Sequence, residues 1–241
     1  MSGARGKSQS TLLALKVGRR ASSLATNNGQ SLTCKAYCYL EQMLVTLRLR
    51  PGSAVSESEL SEQLGIGRTP IREALQRLAR ERLVVILPRR GIIVSEINVN
   101  SQLRLLEVRR VVERLVARSA ARRASVETRQ RFREIAATFE RCGKSNDDVG
   151  FMDVDRKFND LCVEAARNEF ATGAMSLMHS LSRRFWYLHY KQAADMPLTA
   201  KLHADIARAI AAGKEGAAGA AADRLLDTIE TFTRATVTTD F

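Results

Sequence analysis

A short run of side chains between Gly67 and Arg72 has the residue types and the spacing that read DNA bases. Arg68 and Arg72 are four positions apart, so on a helix they project from the same side. A guanidinium can donate two parallel hydrogen bonds to O6 and N7 of guanine, and Thr69 can contact a phosphate or a thymine methyl group. The run therefore predicts the first turn of a helix that enters the major groove.

The residues on either side predict the elements that position this helix. Apolar residues at helical spacing predict a first helix over 35–49, which Pro51 and Gly52 end. Ser56 and Glu59 form a capping box that begins a second helix over 57–64. A glycine-containing turn at 65–67 leads directly into the third helix, with Pro70 in its first turn. Two short helices this close together predict a helix-turn-helix.

A hairpin follows the third helix. The helical period ends at Leu83, and β-branched runs at 84–87 and 92–95 flank a Pro/Gly turn. Arg89 and Arg90 stand at the tip of that turn. The helices and the hairpin together predict a winged helix-turn-helix over residues 33–97.

The charge distribution agrees with a polyanionic partner. The chain of 241 residues has 38 Lys and Arg against 26 Asp and Glu, a net charge of +12, and most of the surplus lies in the first hundred residues. Residues 1–32 are basic and rich in Ser, Gly, Asn and Thr, which predicts a flexible arm. The alternative interpretation of this charge is a solvated basic face.

Composition excludes several classes of protein. Charged residues interrupt every apolar run well before the roughly 20 residues of a membrane-spanning helix, so no membrane partner is expected. The first residues lack the apolar segment of a secretory signal. The four cysteines are scattered and contain no C-x-x-C pair, which favours ordinary thiols in a reducing cytoplasm.

Residues 98–241 have a different character. Only one proline, Pro197, occurs beyond Ser101, and Ala, Leu, Arg and Glu recur at helical periods. The predicted fold is therefore mainly α, with an all-α helical bundle after the winged domain. Its helices are predicted near residues 101–123, 126–142, 150–166, 171–192, 198–212 and 215–237.

The winged region resembles the GntR family of bacterial transcriptional regulators. The segment PGSAVSESELSEQLGIGRTPIREALQRLARERLVVILPRRGIIV follows the family pattern of Pro-Gly, Leu-Gly, Arg-Thr-Pro-x-Arg-Glu-Ala-Leu and a wing ending in Arg-Gly, and the resemblance covers about residues 34–97. It implies that DNA is contacted by Arg68, Thr69 and Arg72 from the recognition helix, and by Arg90 with Gly91 from the wing.

Three residues depart from the family pattern. Gly67 replaces the usual Ser and removes a side-chain N-cap. Ser58 replaces a common basic residue of the second helix, which removes a phosphate or base contact. Arg82 replaces the Gly of the usual Glu-Gly-Leu. We therefore expect the operator to differ from those of typical members, and the fold to be the same.

The C-terminal region resembles the FadR-type ligand domain of that family, called FCD, over about residues 101–237. The resemblance implies a buried metal held by an Asp, a His four residues later and two further His about 22 residues apart. Here Asp155 matches the Asp, but Asn159 stands where the first His is expected. His203 matches the third ligand, and the fourth position falls near Leu225. Two ligands are missing, so a tight Zn-like site is not expected, and at most Asp155 and His203 remain to bind a divalent metal.

The same resemblance implies a pocket for a small organic acid. The FCD domains of the family begin with an Arg and a Glu four residues apart, and Arg109 and Glu113 match them here. An arginine inside a bundle can bind a carboxylate with two parallel hydrogen bonds. The alternative for His203 is an interior histidine satisfied by its neighbours. The polar lining is expected from Arg109, Asp155, Asn159 and His203, with Arg184 and Tyr187 as further candidates.

These features predict a ligand-responsive transcriptional regulator that binds a palindromic operator on double-stranded DNA as a homodimer. The alternative is a DNA-binding regulator that has lost metal and effector sensing. An enzyme using Asp155 and His203 as acid and base is disfavoured, because the sequence contains no nucleophile motif, phosphate loop or complete metal set.

Overall fold

The computed structural model describes residues 31–193 and 195–236, and apart from its last two residues the predicted arm at 1–32 lies outside them. Over residues 31–94, the described part of the N-terminal unit contains three helices and three short strands. They are α1 (Leu32–Val45), β1 (Ala54–Val55), α2 (Glu57–Leu64), α3 (Arg68–Arg80), β2 (Val84–Leu87) and β3 (Gly91–Val94). The strands form an antiparallel sheet in the order β1-β3-β2.

Caps and turns define the helix-turn-helix. Ser56 caps α2 by accepting a hydrogen bond from the Glu59 amide, and Gly65 ends the helix at a φ of 63° in the left-handed region. Gly67 precedes α3 and gives it no side-chain cap. Leu40, Ile71 and other apolar residues of α1, α3 and the sheet pack into one core.

The C-terminal unit is a helical bundle. Its helices are α4 (Val99–Arg123), α5 (Val126–Ser145), α6 (Asp148–Ala166), α7 (Glu169–Ser176), α8 (His179–Ala193), α9 (Met196–Ala211) and α10 (Glu215–Ala235). Buried phenylalanines on α5 and α6 hold the centre; the rings of Phe139 and Phe158 meet edge-on with centroids 5.6 Å apart. The predicted fold class, a winged helix-turn-helix followed by an all-α bundle, is confirmed.

Two elements differ from the prediction. The segment predicted as one helix over 171–192 forms two, because the chain turns at Leu177 and Met178. The turn lets both Met175 and Met178 enter the bundle core, and Ser176 Oγ donates to the carbonyl of Gly173 at the end of α7. The third strand, β1, was not predicted. No helix in the described parts of the chain is both long and apolar enough to cross a bilayer.

Candidate functional site

The recognition helix α3 presents one polar face to solvent. Arg68, Thr69 and Arg72 are exposed, whereas Ile71 and Leu75 are buried on the opposite side. Ser58 of α2 and Gly67 in the turn are also exposed. The side chains that the sequence assigns to base reading therefore share one accessible surface, as major-groove entry requires.

Arg72 is already engaged in a specific ion pair. Its Nε lies 3.0 Å and its Nη2 2.8 Å from carboxylate oxygens of Glu57, at the start of α2. The hydrogen bond from Arg72, with its charge, lowers the pKa of Glu57. Both side chains are accessible, so the guanidinium can exchange the carboxylate for a base edge without breaking a buried contact. Sequence analysis missed Glu57, because its contact with Arg72 arises from the packing of α2 on α3.

The wing tip is a tight, exposed turn between β2 and β3. Arg89 has a φ of 61° and Gly91 a φ of 94°, both in the left-handed region. Arg89, Arg90 and Gly91 are exposed at the tip. Because glycine adopts positive φ without strain, Gly91 suits the closing position of this turn.

A small cavity lies inside the bundle, and it brings together four of the predicted pocket residues: Arg109, Asp155, Asn159 and His203. The cavity measures about 40 Å³, which is room for about three water molecules. A metabolite of ordinary size therefore requires the wall to move. The helix α8 contributes four wall residues at helical spacing: His179, Ser182, Arg183 and Trp186.

Asp155 is the charged centre of this cavity. Its Oδ1 accepts a hydrogen bond from Asn159 Nδ2 at 3.1 Å and lies 3.3 Å from His203 Nε2. Its Oδ2 lies 3.3 Å from Arg183 Nε. Burial alone would raise the pKa of Asp155, but His203 and Arg183 outweigh burial and lower it to about 2. The carboxylate is therefore ionised at neutral pH.

His203 is fixed by its other ring nitrogen. Nδ1 lies 2.8 Å from the carbonyl oxygen of Thr199, which can only accept, so Nδ1 carries a proton. The ring also packs against Phe139 and Phe151, with centroids 4.9 and 5.4 Å away. This geometry aims Nε2 at Asp155 and the cavity.

His179 was missed by sequence analysis. Its Nε2 is buried without a hydrogen-bond partner, and the residue lines the same cavity. Burial and the nearby charge of Arg109 lower its pKa to about 3, so its imidazole is neutral at physiological pH. Its position becomes apparent only once the turn at 177–178 is known, because that turn sets the phase of α8.

The remaining predicted residues have other neighbours. Arg109 lines the cavity but also forms a buried ion pair with Glu113, at 2.6 Å. Arg184 and Tyr187 are not among the described side chains that line the cavity. Arg184, only 2% exposed, donates to the carbonyl of Glu96, and burial lowers its pKa to about 10. Tyr187 packs against the bundle core.

The donor set does not fit a resident metal. Asn159 occupies one family ligand position, and Leu225, at another, is fully buried and has no donor atom. Within residues 31–193 and 195–236, no three His, Cys, Asp or Glu side chains are arranged to hold an ion. Zn²⁺ sites use at least three protein ligands, so the pair of Asp155 and His203 is too small a set.

Arg183 connects the cavity to the winged domain. Its Nη1 donates to Glu41 Oε1 of α1 at 2.7 Å, and its Nη2 donates to the carbonyl of Met152 at 3.2 Å. Glu41 also accepts a hydrogen bond from Ser180 Oγ. A continuous chain of polar contacts therefore runs from His203 through Asp155 and Arg183 to the first helix of the winged domain.

Comparison with protein families decides what these two units are. The profile described as "Bacterial regulatory proteins, gntR family" matches residues 32–94. The profile described as "FCD domain" matches residues 104–228, more than half of the chain. The chain is a bacterial GntR-family transcriptional regulator with an FCD domain. The predicted family is thereby confirmed.

The individual relatives of this GntR-family regulator are also described as transcriptional regulators. It is 27% identical to the HTH-type transcriptional repressor RspR of Escherichia coli strain K12, over 76% of this chain and 81% of that protein. It is 28% identical to the Nta operon transcriptional regulator of Aminobacter aminovorans, over 72% and 80% of the two chains. A 44% match to a Streptomyces ambofaciens HTH-type regulator spans only 31% of this chain and 32% of that protein.

Solved structures share the fold. E. coli McbR/YncC superposes with a TM-score of 0.75 at 17% identity, covering 86% of this chain and 99% of that chain. A GntR regulator from Rhodococcus sp. RHA1 superposes with a TM-score of 0.63 at 21% identity, covering 86% of this chain and 99% of that chain. The arrangement of winged domain and bundle is thus that of known GntR-family regulators.

Proposed function

We propose that this regulator binds a palindromic operator as a homodimer in the cytoplasm and that a small organic acid with a carboxylate group controls the binding. Arg68, Thr69 and Arg72 read bases, while Arg89, Arg90 and Gly91 bring the wing to the backbone. Ser58 and Gly67 lie at the edge of the same surface. The effector occupies the bundle cavity, where Arg109 faces its carboxylate.

The observation that carries this proposal is the position of Arg183. One guanidinium contacts Glu41 of the winged domain and Asp155 of the cavity. The cavity is too small for most metabolites, so an effector must displace part of its wall, which α8 supplies. Displacing α8 changes its contacts with α1 and hence the pose of the DNA-reading unit.

An exposed apolar stripe on α4 supports self-association. Val108, Val111 and Leu115 are 56%, 70% and 48% exposed at spacings of three and four residues. Two copies that pack these stripes against each other about a two-fold axis would remove the exposed apolar side chains of both from water.

A regulator that has lost effector sensing is the competing function. It explains the missing metal ligands, but it gives no role to the buried polar groups that line the cavity. Burying unpaired polar groups costs stability, so a silent cavity would be more stable with apolar side chains. The retained lining supports a cavity that binds something.

Selection of DNA by the full-length protein tests the proposal. From a pool of random duplexes, we expect enrichment of a palindrome whose half-sites are separated by about one helical turn, roughly 10 base pairs, or a multiple of it. The affinity for that duplex is then measured with and without a panel of small carboxylic acids. Enrichment without any effect of the acids would favour the effector-blind regulator, and no enrichment would contradict operator binding.

A further inference from the structure

The cavity combines hydrogen-bond acceptors in a way that a simple carboxylate does not satisfy. Asp155 lies 3.3 Å from the Nε of Arg183, and its carboxylate has only acceptors. Asn159 turns its NH₂ group towards Asp155, which leaves the amide oxygen Oδ1 as an acceptor. The Asp155 carboxylate and Asn159 Oδ1 lie together at one corner of the cavity, where they can accept hydrogen bonds from a ligand.

Donors line the same cavity elsewhere. Arg109 is a guanidinium with five N–H groups, of which Glu113 uses two. His179 has a buried Nε2 without a partner. These two residues suit a carboxylate, whereas the oxygens of Asp155 and Asn159 repel one. A ligand that satisfies both groups must carry an anionic end and a hydrogen-bond-donating end.

The charged side chains around the cavity indicate which chemical group forms the donating end of the ligand. Two guanidiniums, Arg109 and Arg183, face three buried carboxylates, those of Glu41, Glu113 and Asp155. The cluster therefore has no surplus positive charge even if His203 is protonated. A ligand that adds only a negative charge would leave that charge uncompensated in a buried site. A ligand with one positive and one negative group leaves the balance unchanged.

We infer that the effector is a small α-amino acid, with its ammonium group at Asp155 and Asn159 and its carboxylate at Arg109 and His179. An ammonium has only N–H donors, so it suits the carboxylate of Asp155 and the amide oxygen of Asn159. The inference rests on the proposed effector control, and it names the class of acid. Phe151, Trp186 and Ile229 add apolar surface to the lining and favour a short or apolar side chain.

Matched ligand series test this assignment on the full-length wild-type protein. Each standard amino acid is compared with its des-amino acid, its α-hydroxy acid and its decarboxylated amine by calorimetry and by thermal shift. For at least one amino acid we expect binding about tenfold tighter than for each of its three analogues, because only the zwitterion makes charge-assisted hydrogen bonds at both ends.

The outcomes distinguish an error in the assigned ammonium or carboxylate position from an error in the proposed effector class. If a des-amino or hydroxy acid binds as tightly as its amino acid, the ammonium assignment is wrong and effector control by an acid survives. If an amine binds as tightly, the carboxylate assignment is wrong. If no compound of any series binds, both this inference and the proposed effector class are wrong.

A pair of variants locates the ammonium. Asp155→Asn keeps the size of the side chain and removes its charge, so we expect the preference for the amino acid over its hydroxy acid to fall to about twofold or less. Asp153→Asn removes an exposed carboxylate from the same helix and should leave the preference unchanged. An unchanged preference in a folded Asp155→Asn variant would overturn the assignment. If that variant does not fold, the wild-type series still decides.

Discussion

Arg183 of the bundle and Glu41 of the winged domain form a largely buried ion pair in which Nη1 lies 2.7 Å from Oε1. The same guanidinium lies 3.3 Å from Asp155 Oδ2, so a single side chain contacts both the DNA-reading unit and the cavity. This contact joins the two units together with the hydrogen bonds from Ser180 to Glu41 and from Arg184 to the carbonyl of Glu96. Such a shared group is a physical route for coupling between two sites.

Glu41→Gln should weaken that coupling. The glutamine side chain has the size of glutamate and one acceptor oxygen, but it has no charge. Its contact with Arg183 is weaker, so a displacement of α8 should move α1 less. We expect the effect of a bound amino acid on operator affinity to fall several-fold, and the free energy of unfolding to fall by about 1–3 kcal/mol. Calorimetry and DNA titration measure the two affinities separately. Glu134→Gln, an exposed site on α5, serves as the control, and equal coupling in both variants would argue against this route.

Arg72→Ala should reduce operator binding more than binding to random duplex DNA. The base contact is lost only where the correct base is present, whereas the electrostatic attraction to phosphates is lost on both DNAs. We expect the ratio of the two affinities to fall by at least about fivefold, as judged by fluorescence anisotropy. Arg80→Ala, at the far end of α3, should lower both affinities together. Equal losses in Arg72→Ala would remove it from the base-reading set.

Glu57→Gln tests the role of Glu57, the carboxylate partner of Arg72 in their ion pair. Glu57 holds the Arg72 guanidinium and adds a negative charge close to the DNA-reading face. Without that charge we expect tighter binding to operator and to random DNA, and a salt dependence no weaker than that of the wild type. Weaker binding to both DNAs would mean that Glu57 orders Arg72 for the complex instead of competing with DNA.

Arg82→Gly should stabilise the protein. Arg82 has a φ of 61° after α3, a conformation that costs an L-residue about 1 kcal/mol and costs glycine almost nothing. We expect the free energy of unfolding in urea to rise by up to about 1 kcal/mol. Arg80→Gly, inside the last turn of the helix, should lower it by a similar amount. A loss of stability in Arg82→Gly would show that the Arg82 side chain makes compensating contacts.

His179 should make stability depend on pH. Its pKa is about 3 in the folded protein and 6.5 as a free side chain, so between these values the unfolded chain binds more protons. The free energy of unfolding therefore falls as pH is lowered from 6.5, by at most about 1.4 kcal/mol per pH unit. His179→Gln should flatten the dependence between pH 6.5 and about pH 5, where Asp155 stays ionised. Parallel curves for wild type and His179→Gln would contradict the burial of this imidazole.

Val111→Glu should separate the proposed dimer. A carboxylate at the centre of the α4 stripe would be buried against its own copy and repelled by it. Sedimentation velocity should show a monomer, with operator affinity reduced because each subunit then contacts one half-site. Val149→Glu, which changes a valine exposed to 73% on α6, is the matched control. A dimer that persists in Val111→Glu would place the interface elsewhere.

Local rules predicted most of the winged domain. The capping box at Ser56 and Glu59, the left-handed turn at Gly65 and the apolar face of α3 each depend on residues close together in sequence. The hairpin was predicted for the same reason. The two-residue strand β1 was not, because it pairs with β3 across nearly forty residues and carries no alternation of its own.

The cavity was predicted only in part. Arg109, Asp155, Asn159 and His203 were expected from the family resemblance, and they line one cavity. His179 and Arg183 were missed because the break at Leu177 and Met178 contains neither Gly nor Pro, so the phase of α8 could not be read from the sequence. The contact between Arg183 and Glu41 joins residues that are 142 positions apart. Only tertiary packing creates it.

Occupancy of the bundle cavity should change the affinity of the protein for its operator. The direct measurement is the affinity of the full-length protein for its selected operator duplex, by fluorescence anisotropy, without ligand and at saturation with the amino acid that binds most tightly. We expect a change of at least about fivefold in the operator dissociation constant, the lower end of typical allosteric couplings. An unchanged dissociation constant at saturating amino acid would contradict it.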